Sequence, residues 1–406
     1  RFLEFVAASP LLAAGAGPAL AELIQKAEDL PADKMWLDLV EGLIASPDEA
    51  VNIFDFEAVT KVRLPPAHFG FLASGVGGEE TLRANRVAFE DYVLKPRRLI
   101  DVSQPDLSTT VLGETFSSPV GLAPLGSQLV FHREAEAATA RAAATGNHLQ
   151  ILSTQTNTEL ARVNEARGKP VWFQLYASDS PDLARQRIRH AEEAGCPVLV
   201  VTVDLVGKRV LETKNLLRRT DTRDCKMCHG ATTMDERVRF LPMYRDFDLT
   251  GVRNPMDPSM TWDTLKRLRD GTDMKVVIKG LLTPEDAAIA VAQGFDGIVV
   301  SNHGGRADES GLATIDALPA IVSQVAGAVP IIVDSGFRRG SDIIKALCMG
   351  ADMVCVGRPY IWGLTAFGQP GVEKVLELLD AETQVMMQQV GAARVADLDA
   401  AMVGRS

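Results

Sequence analysis

Eight short runs of nearly continuous apolar residues recur between positions 119 and 359, and almost all end on polar residues or glycine. They are PVGLAP (119–124), LQILST (149–154), VWFQLY (171–176), VLVVTVD (198–204), KVVIKG (275–280), GIVVSNH (297–303), PIIVDSG (330–336) and MVCVGRP (353–359). Unbroken apolarity, in place of strict alternation, predicts strands buried on both faces of a parallel sheet. Between most of them lie stretches with Ala, Leu and charges at helical spacing, such as REAEAATARAAATG and TPEDAAIAVAQG. The second opens with Thr283, Pro284, Glu285 and Asp286, which reads as an N-cap, a first-turn proline and an acidic first turn.

Eight strands, each followed by a helix, predict an α/β chain built as a (β/α)8 TIM barrel. A doubly wound open sheet is the alternative. Against it, the first run closes on Ala123-Pro124-Leu125-Gly126, which is no dinucleotide fingerprint. The barrel is expected over 119–406, with a long loop at about 214–262 after the fourth strand. Residues 22–118 are expected to form an N-terminal helical extension covering the base of the barrel. Residues 1–21 read as an export-signal remnant or an N-terminal helix. The export reading rests on RFLEF, which resembles the tail of a twin-arginine signal, and on Ala-Leu-Ala before Glu22. It implies a periplasmic protein, with a cytoplasmic one as the alternative.

Composition narrows this picture only slightly. The 406 residues are 46% hydrophobic and 23% charged, enough to bury a large core, and the net charge of −11 argues against a nucleic-acid surface. Five cysteines are too few and too scattered for a disulfide framework. Cys196, Cys348 and Cys355 sit in apolar runs and are expected to pack as small hydrophobes. Cys225, Cys228 and His229, in DCKMCHG, match the spacing of a c-type haem attachment site. The preferred readings of that stretch are a local disulfide, a loop metal site or two free thiols, with haem as the minority reading; no metal is otherwise expected.

The chemistry is expected where this fold places it, at the C-terminal ends of the strands. Those ends carry Ser153, Gln174, Tyr176, Thr202, Asp204, Lys279, Ser301, His303, Arg306, Asp334, Gly336, Arg338, Gly357 and Arg358. Strand caps would account for a few of these. They do not account for three arginines, a lysine, a histidine and two aspartates on one rim. Gly336, Arg338, Gly357 and Arg358 follow strands seven and eight, where this fold commonly holds a phosphate. His303 can move a proton near neutral pH, and Arg306, three residues on, can grip a carboxylate with two parallel hydrogen bonds. A base beside such a clamp suggests chemistry at the carbon next to an acid group. Asp204 is the candidate to orient the imidazole.

The ordered motifs IKG…SNHGGR…DSGFRRG…GRP resemble the FMN-dependent α-hydroxy-acid oxidase and dehydrogenase family, which includes glycolate oxidase, lactate dehydrogenases and mandelate dehydrogenase. The likeness runs from FLASGVGGEETLRANRVAFEDYVLKPR (71–97) to KVLELLDAE (374–382). It implies oxidation of an (S)-2-hydroxy acid to the 2-keto acid with FMN as cofactor, and electrons passed to a quinone, a cytochrome or oxygen. By the same resemblance, His303 is the base, Asp204 its partner, and Arg306, Arg209 and Tyr176 the substrate contacts. Lys279 lies beside the flavin. Ser153, Gln174, Thr202 and Ser301 contact the flavin, Asp334 takes the ribityl chain, and Gly336, Arg338, Gly357 and Arg358 take the phosphate. Relatives are often tetramers, so a homo-oligomer is expected.

Three positions depart from the family's commoner pattern. Phe71 stands where a substrate-binding tyrosine is usual, Gln155 replaces an aromatic residue, and Gly126 resembles the dehydrogenases more than the oxidases. Two alternatives stay open: a phosphate-binding lyase or isomerase of the same fold using Lys279 without flavin, and a non-catalytic flavin-binding relative.

Overall fold

The computed structural model describes residues 43–205, 209–223 and 240–406. All eight apolar runs form parallel strands: β1 (Val120–Leu122), β2 (Ile151–Ser153), β3 (Trp172–Leu175), β4 (Val198–Thr202), β5 (Lys275–Leu281), β6 (Gly297–Val300), β7 (Ile331–Val333) and β8 (Met353–Val356). From β2 to β8 each strand pairs with the next in sequence, and β8 pairs with β1. A bridge between Leu122 and Gln150, with the Leu122 amide donating to the Leu149 carbonyl at 2.8 Å, closes β1 onto β2. The sheet is therefore the expected barrel, not an open one. The helix Pro284–Ala292 begins as read, with the Thr283 hydroxyl accepting from the Asp286 amide. Cys196, Cys348 and Cys355 are buried free thiols.

The interior changes character along the barrel axis. Ile151, Trp172, Val200, Val277, Val299 and Ile332 belong to one apolar cluster in the lower barrel. Two residues further along the same strands come Ser153, Gln174, Thr202, Lys279, Ser301 and Asp334, all buried. A strand returns a side chain to the same face every second residue, so the polar ring stands directly above the apolar layer.

The segment before the barrel differs from the expectation in where it lies. The base is closed by an antiparallel hairpin, Thr109–Val111 with Glu114–Phe116, whose Val111 and Phe116 join the apolar cluster. Burying those side chains seals apolar strand starts that water would otherwise meet. The helices Phe54–Arg63, Pro66–Ala73 and Glu80–Val87 precede this hairpin, and the last two meet the opposite mouth. Arg306 and Arg358 both donate to backbone carbonyls at the end of Pro66–Ala73, because the last carbonyls of a helix lack partners of their own. The connection after β4 is also less loop-like than expected, with helices Glu212–Arg218 and Pro242–Arg245 among its described residues.

Candidate active site

The polar ring is wired together through Lys279 on β5. Its ammonium donates to Ser301 Oγ at 2.6 Å and lies 3.2 Å from Asp334 Oδ2 and 3.8 Å from Asp204 Oδ2. The Ser301 hydroxyl in turn donates a hydrogen bond to Asp334 Oδ1 at 2.6 Å. Burial opposes the lysine's charge, but the two carboxylates outweigh it and raise its pKa, so the side chain stays an ammonium ion. On the other side of the mouth Ser153 donates to Gln174 at 3.0 Å.

His303 stands one turn beyond this ring. Its Nδ1 lies 2.9 Å from Asp204 Oδ1, and its Nε2 lies 3.4 Å from the Tyr176 hydroxyl. Burial lowers the histidine's pKa, and Lys279 and Arg306 add to the effect against Asp204, so the neutral ring is favoured. Burial also works against charge on Asp204, yet His303, Lys279 and Arg209 more than offset it and keep the carboxylate ionised. A neutral imidazole that gives Nδ1–H to a carboxylate leaves the lone pair on Nε2, the atom beside Tyr176. This arrangement can accept a proton and hold the resulting imidazolium. Burial pushes the Tyr176 phenol well above its ordinary pKa, so it remains a donor.

The turn that presents His303 is unusual backbone. His303, Gly304 and Gly305 have φ of 60°, 67° and 74°, three successive left-handed residues. Asn302 holds them: its side-chain oxygen accepts from the Gly305 amide at 2.9 Å, and its amide pairs reciprocally with Asn85 at 2.8 Å. Ser335 Oγ accepts from the Gly304 amide at 2.9 Å. Asn302, Asn85 and Ser335 were not singled out from sequence. Asn302 lay inside the SNHGGR motif, but nothing local marks Asn85, which arrives from 217 residues away.

The arginines converge as expected, with one difference. Arg306, Arg209, Arg338 and Arg358 all line a single cavity of about 410 Å³ with Phe71, Ser153, Tyr176, Lys279, His303, Asp334, Gly336 and Gly357. Arg306 Nη1 donates to the carbonyls of Phe71 and Ser74 at 2.8 and 2.7 Å, and Arg209 donates to the Arg306 carbonyl at 3.1 Å. Burial, with Arg209 nearby, pulls Arg306 down to about 10, still cationic at neutral pH. Arg358 spends three of its N–H groups on the carbonyls of Leu72, Gly304 and Ser74, which makes it a brace of the mouth as well as a candidate phosphate ligand. Gly336 is needed for packing, since a Cβ there would lie 2.1 Å from the Asn85 carbonyl oxygen. Gly357 is the open one: a Cβ there would meet nothing within 4 Å.

The residues present fit a flavin nucleotide. Gln174 Nε2 and Thr202 Oγ1, both buried in the polar ring, have no hydrogen-bond partner among the described residues, and a buried polar group is ordinarily satisfied. They offer a donor and a hydroxyl to a polar ring system, while Arg338, Arg358 and the open backbone at Gly357 offer an anion site. The three departures also acquire reasons. Phe71 stacks on Phe131 at 6.2 Å and lies beneath the cations of Arg306 and Lys214 at 5.1 and 5.7 Å. Gly126 is required sterically, because a Cβ there would lie 2.4 Å from Gln155 Cβ and 2.8 Å from the Gln155 carbonyl oxygen. Gln155 donates to the hydroxyl of Tyr244, a residue that sequence reading passed over. Cys225, Cys228 and His229 lie outside the described residues.

Comparison with known proteins agrees with this geometry. Residues 60–405 match the family model described as FMN-dependent dehydrogenase. The chain is 39% identical to an L-lactate oxidase of Nostoc sp., over 88% of this chain and 98% of the relative. It is 37% identical to a peroxisomal (S)-2-hydroxy-acid oxidase of Oryza sativa subsp. japonica, over 86% and 94% respectively. Among solved structures, a mandelate oxidase superposes with a TM-score of 0.77 at 34% identity, covering 88% of this chain and 98% of its own. A soluble mutant of the membrane-associated (S)-mandelate dehydrogenase of Pseudomonas putida gives a TM-score of 0.77 at 32% identity, covering 87% and 99%.

Proposed function

The chain belongs to the FMN-dependent dehydrogenase family, an enzyme family of 2-hydroxy-acid oxidation, and we propose that it turns an (S)-2-hydroxy acid into the 2-keto acid with His303 as the base. The observation that carries the assignment is the row Asp204–His303–Tyr176 beside Arg306, at the mouth of the barrel that holds Lys279.

Arg306 and Arg209 hold the substrate carboxylate, and charge-assisted hydrogen bonds of this kind fix both position and orientation. Tyr176 donates to the same end of the molecule. His303 Nε2 then takes a proton from the substrate, and Asp204 stabilises the imidazolium that forms. Bound FMN supplies the acceptor for the electron pair that leaves the substrate. Lys279 would hold positive charge beside the flavin, and Ser153, Gln174, Thr202 and Ser301 would hydrogen-bond it. Asp334 meets the ribityl chain, while Arg338, Arg358, Gly336 and Gly357 take the phosphate.

The state of Lys279 speaks against a lyase or isomerase that would use it as a nucleophile. An amine that attacks a carbonyl needs a depressed pKa, whereas here two carboxylates raise it. The terminal electron acceptor is a quinone or cytochrome, or oxygen. Export to the periplasm and assembly as a homotetramer are further proposals, resting on residues 1–21 and on the family resemblance.

An absorption spectrum recorded anaerobically tests the reading. The purified protein should be yellow and should bleach on addition of a suitable 2-hydroxy acid, and H303A should keep its colour but no longer bleach. A colourless protein, or bleaching unchanged in H303A, overturns it.

A further inference from the structure

Gln155 lines the cavity, and its amide donates to the hydroxyl of Tyr244. Tyr244 itself is 2% exposed and sits in the short helix Pro242–Arg245. It stands behind the cavity wall, bonded to Gln155 and with its amide donating at 2.9 Å to the carbonyl of Leu241, both cavity-lining residues. Behind it stands Arg187, on the helix Pro181–Glu193, with its guanidinium carbon 4.1 Å from the centre of the Tyr244 ring.

Arg187 is fully buried and makes no ion pair among the described residues. Its Nε donates to the Met243 carbonyl at 2.8 Å, but Nη1 and Nη2 have no hydrogen-bond partner there. Among the described residues this buried cation leans on Tyr244, which works against the cost of burying its charge. The guanidinium lies against the face of the Tyr244 ring, a cation–π contact that holds the ring in place behind Gln155. Since Gln155 Nε2 already donates to the Tyr244 oxygen, the proton of that hydroxyl is left to point elsewhere.

The neighbouring wall is fixed in place. Asn157 donates to the Phe240 carbonyl at 2.8 Å, and Arg245 pairs with Glu159, tying this short helix to the loop after β2. The surrounding cavity residues Phe71, Phe131, Leu205, Leu241 and Met256 are apolar. With the carboxylate assigned to Arg306 and Arg209, Gln155, backed by the Tyr244 hydroxyl and flanked by Ser127, is the polar part of a wall whose other side is apolar.

We propose that Gln155, Tyr244 and Arg187 form a specificity relay that selects 2-hydroxy acids whose side chain carries a hydrogen-bond-accepting oxygen, dicarboxylic acids above all. The inference rests on the 2-hydroxy-acid reading of the same site. Gln155 touches the side-chain oxygen, the Tyr244 hydroxyl behind it orients the Gln155 amide, and Arg187 packs its cation against the Tyr244 ring.

The test compares (S)-malate with (S)-2-hydroxybutyrate in the FMN-loaded enzyme, by kcat/KM from anaerobic bleaching and by dissociation constants of the corresponding keto acids. The wild type should favour malate at least about tenfold, a discrimination typical of a polar contact met or left unmet. Y244F and R187M should each lower that ratio toward one, and should weaken the diacid product more than the monoacid. A merely structural role would lower both acids together and leave the ratio unchanged. A wild-type ratio near or below one, or a ratio unchanged in Y244F, overturns the proposal. If lactate or mandelate bleaches the enzyme and malate does not, this inference alone fails. If no 2-hydroxy acid bleaches it, the reading of the function fails.

Discussion

His303 Nδ1 lies 2.9 Å from Asp204 Oδ1 while Lys279 approaches the other oxygen of the same carboxylate at 3.8 Å. One carboxylate therefore serves both the base and the ammonium, and the carboxylate and the ammonium act on the base with opposite signs. Asp204 raises the pKa of His303 and Lys279 lowers it, and burial leaves the net value below the ordinary 6.5.

The first prediction concerns pH. Neutral His303 is the active form, so the rate of substrate oxidation should stay level from pH 8 down through 6.5 and fall only at more acidic pH, as the ring is protonated. In D204N the charge that favours imidazolium is gone. The acid limb should move to still lower pH, and the rate on the plateau should drop by about 10²–10⁴-fold. Stopped-flow bleaching across a pH series measures both.

Replacing Lys279 should move that limb the other way. K279M removes a cation that opposes protonation of His303, so the acid limb should rise. It also leaves Asp334 and Asp204 buried without their ammonium partner, at a cost of about 3–5 kcal/mol of stability. Chemical denaturation with FMN present reads the second effect.

Phe71→Tyr restores a hydroxyl donor at the cavity wall, beside Arg306. Its expected gain is about 1 kcal/mol, or roughly fivefold in KM for the substrate, with little change in kcat. A lower kcat at unchanged KM would instead mean that the new hydroxyl disturbs the ring stacked on Phe131.

Gly126→Ala should destabilise the protein by about 1–3 kcal/mol, because the added methyl group meets both the side chain and the backbone of Gln155. A shift of Gln155 would also break its bond to Tyr244. Thermal unfolding and a substrate panel, measured together, separate the two consequences.

Asn302→Ala should lower kcat without touching the substrate. It removes the acceptor for the Gly305 amide and the pairing with Asn85, both of which hold the left-handed turn. A loss of about 1–3 kcal/mol in stability is expected alongside. Rescue by Asn302→Asp, which keeps the oxygen that accepts from Gly305 and Asn85 and loses only the donor to Asn85 and Leu312, would show that the acceptor is what supports the turn.

The barrel and most of the candidate site were legible along the chain. Eight apolar runs with polar ends can be read because a strand repeats every two residues, so the step from Val277 to Lys279 or Ile332 to Asp334 is visible along the chain. The SNHGGR turn was equally legible, since its glycines and histidine are adjacent. Tertiary structure decided what depends on partners distant in sequence. It put a hairpin under the barrel and the end of helix Pro66–Ala73 over its mouth, where Arg306 and Arg358 meet the helix carbonyls. It also brought Asn85 to Asn302, and Tyr244 and Arg187 to Gln155. None of these pairs has a local signal, because burial and hydrogen bonding reward proximity in space and leave no periodic mark on a single segment.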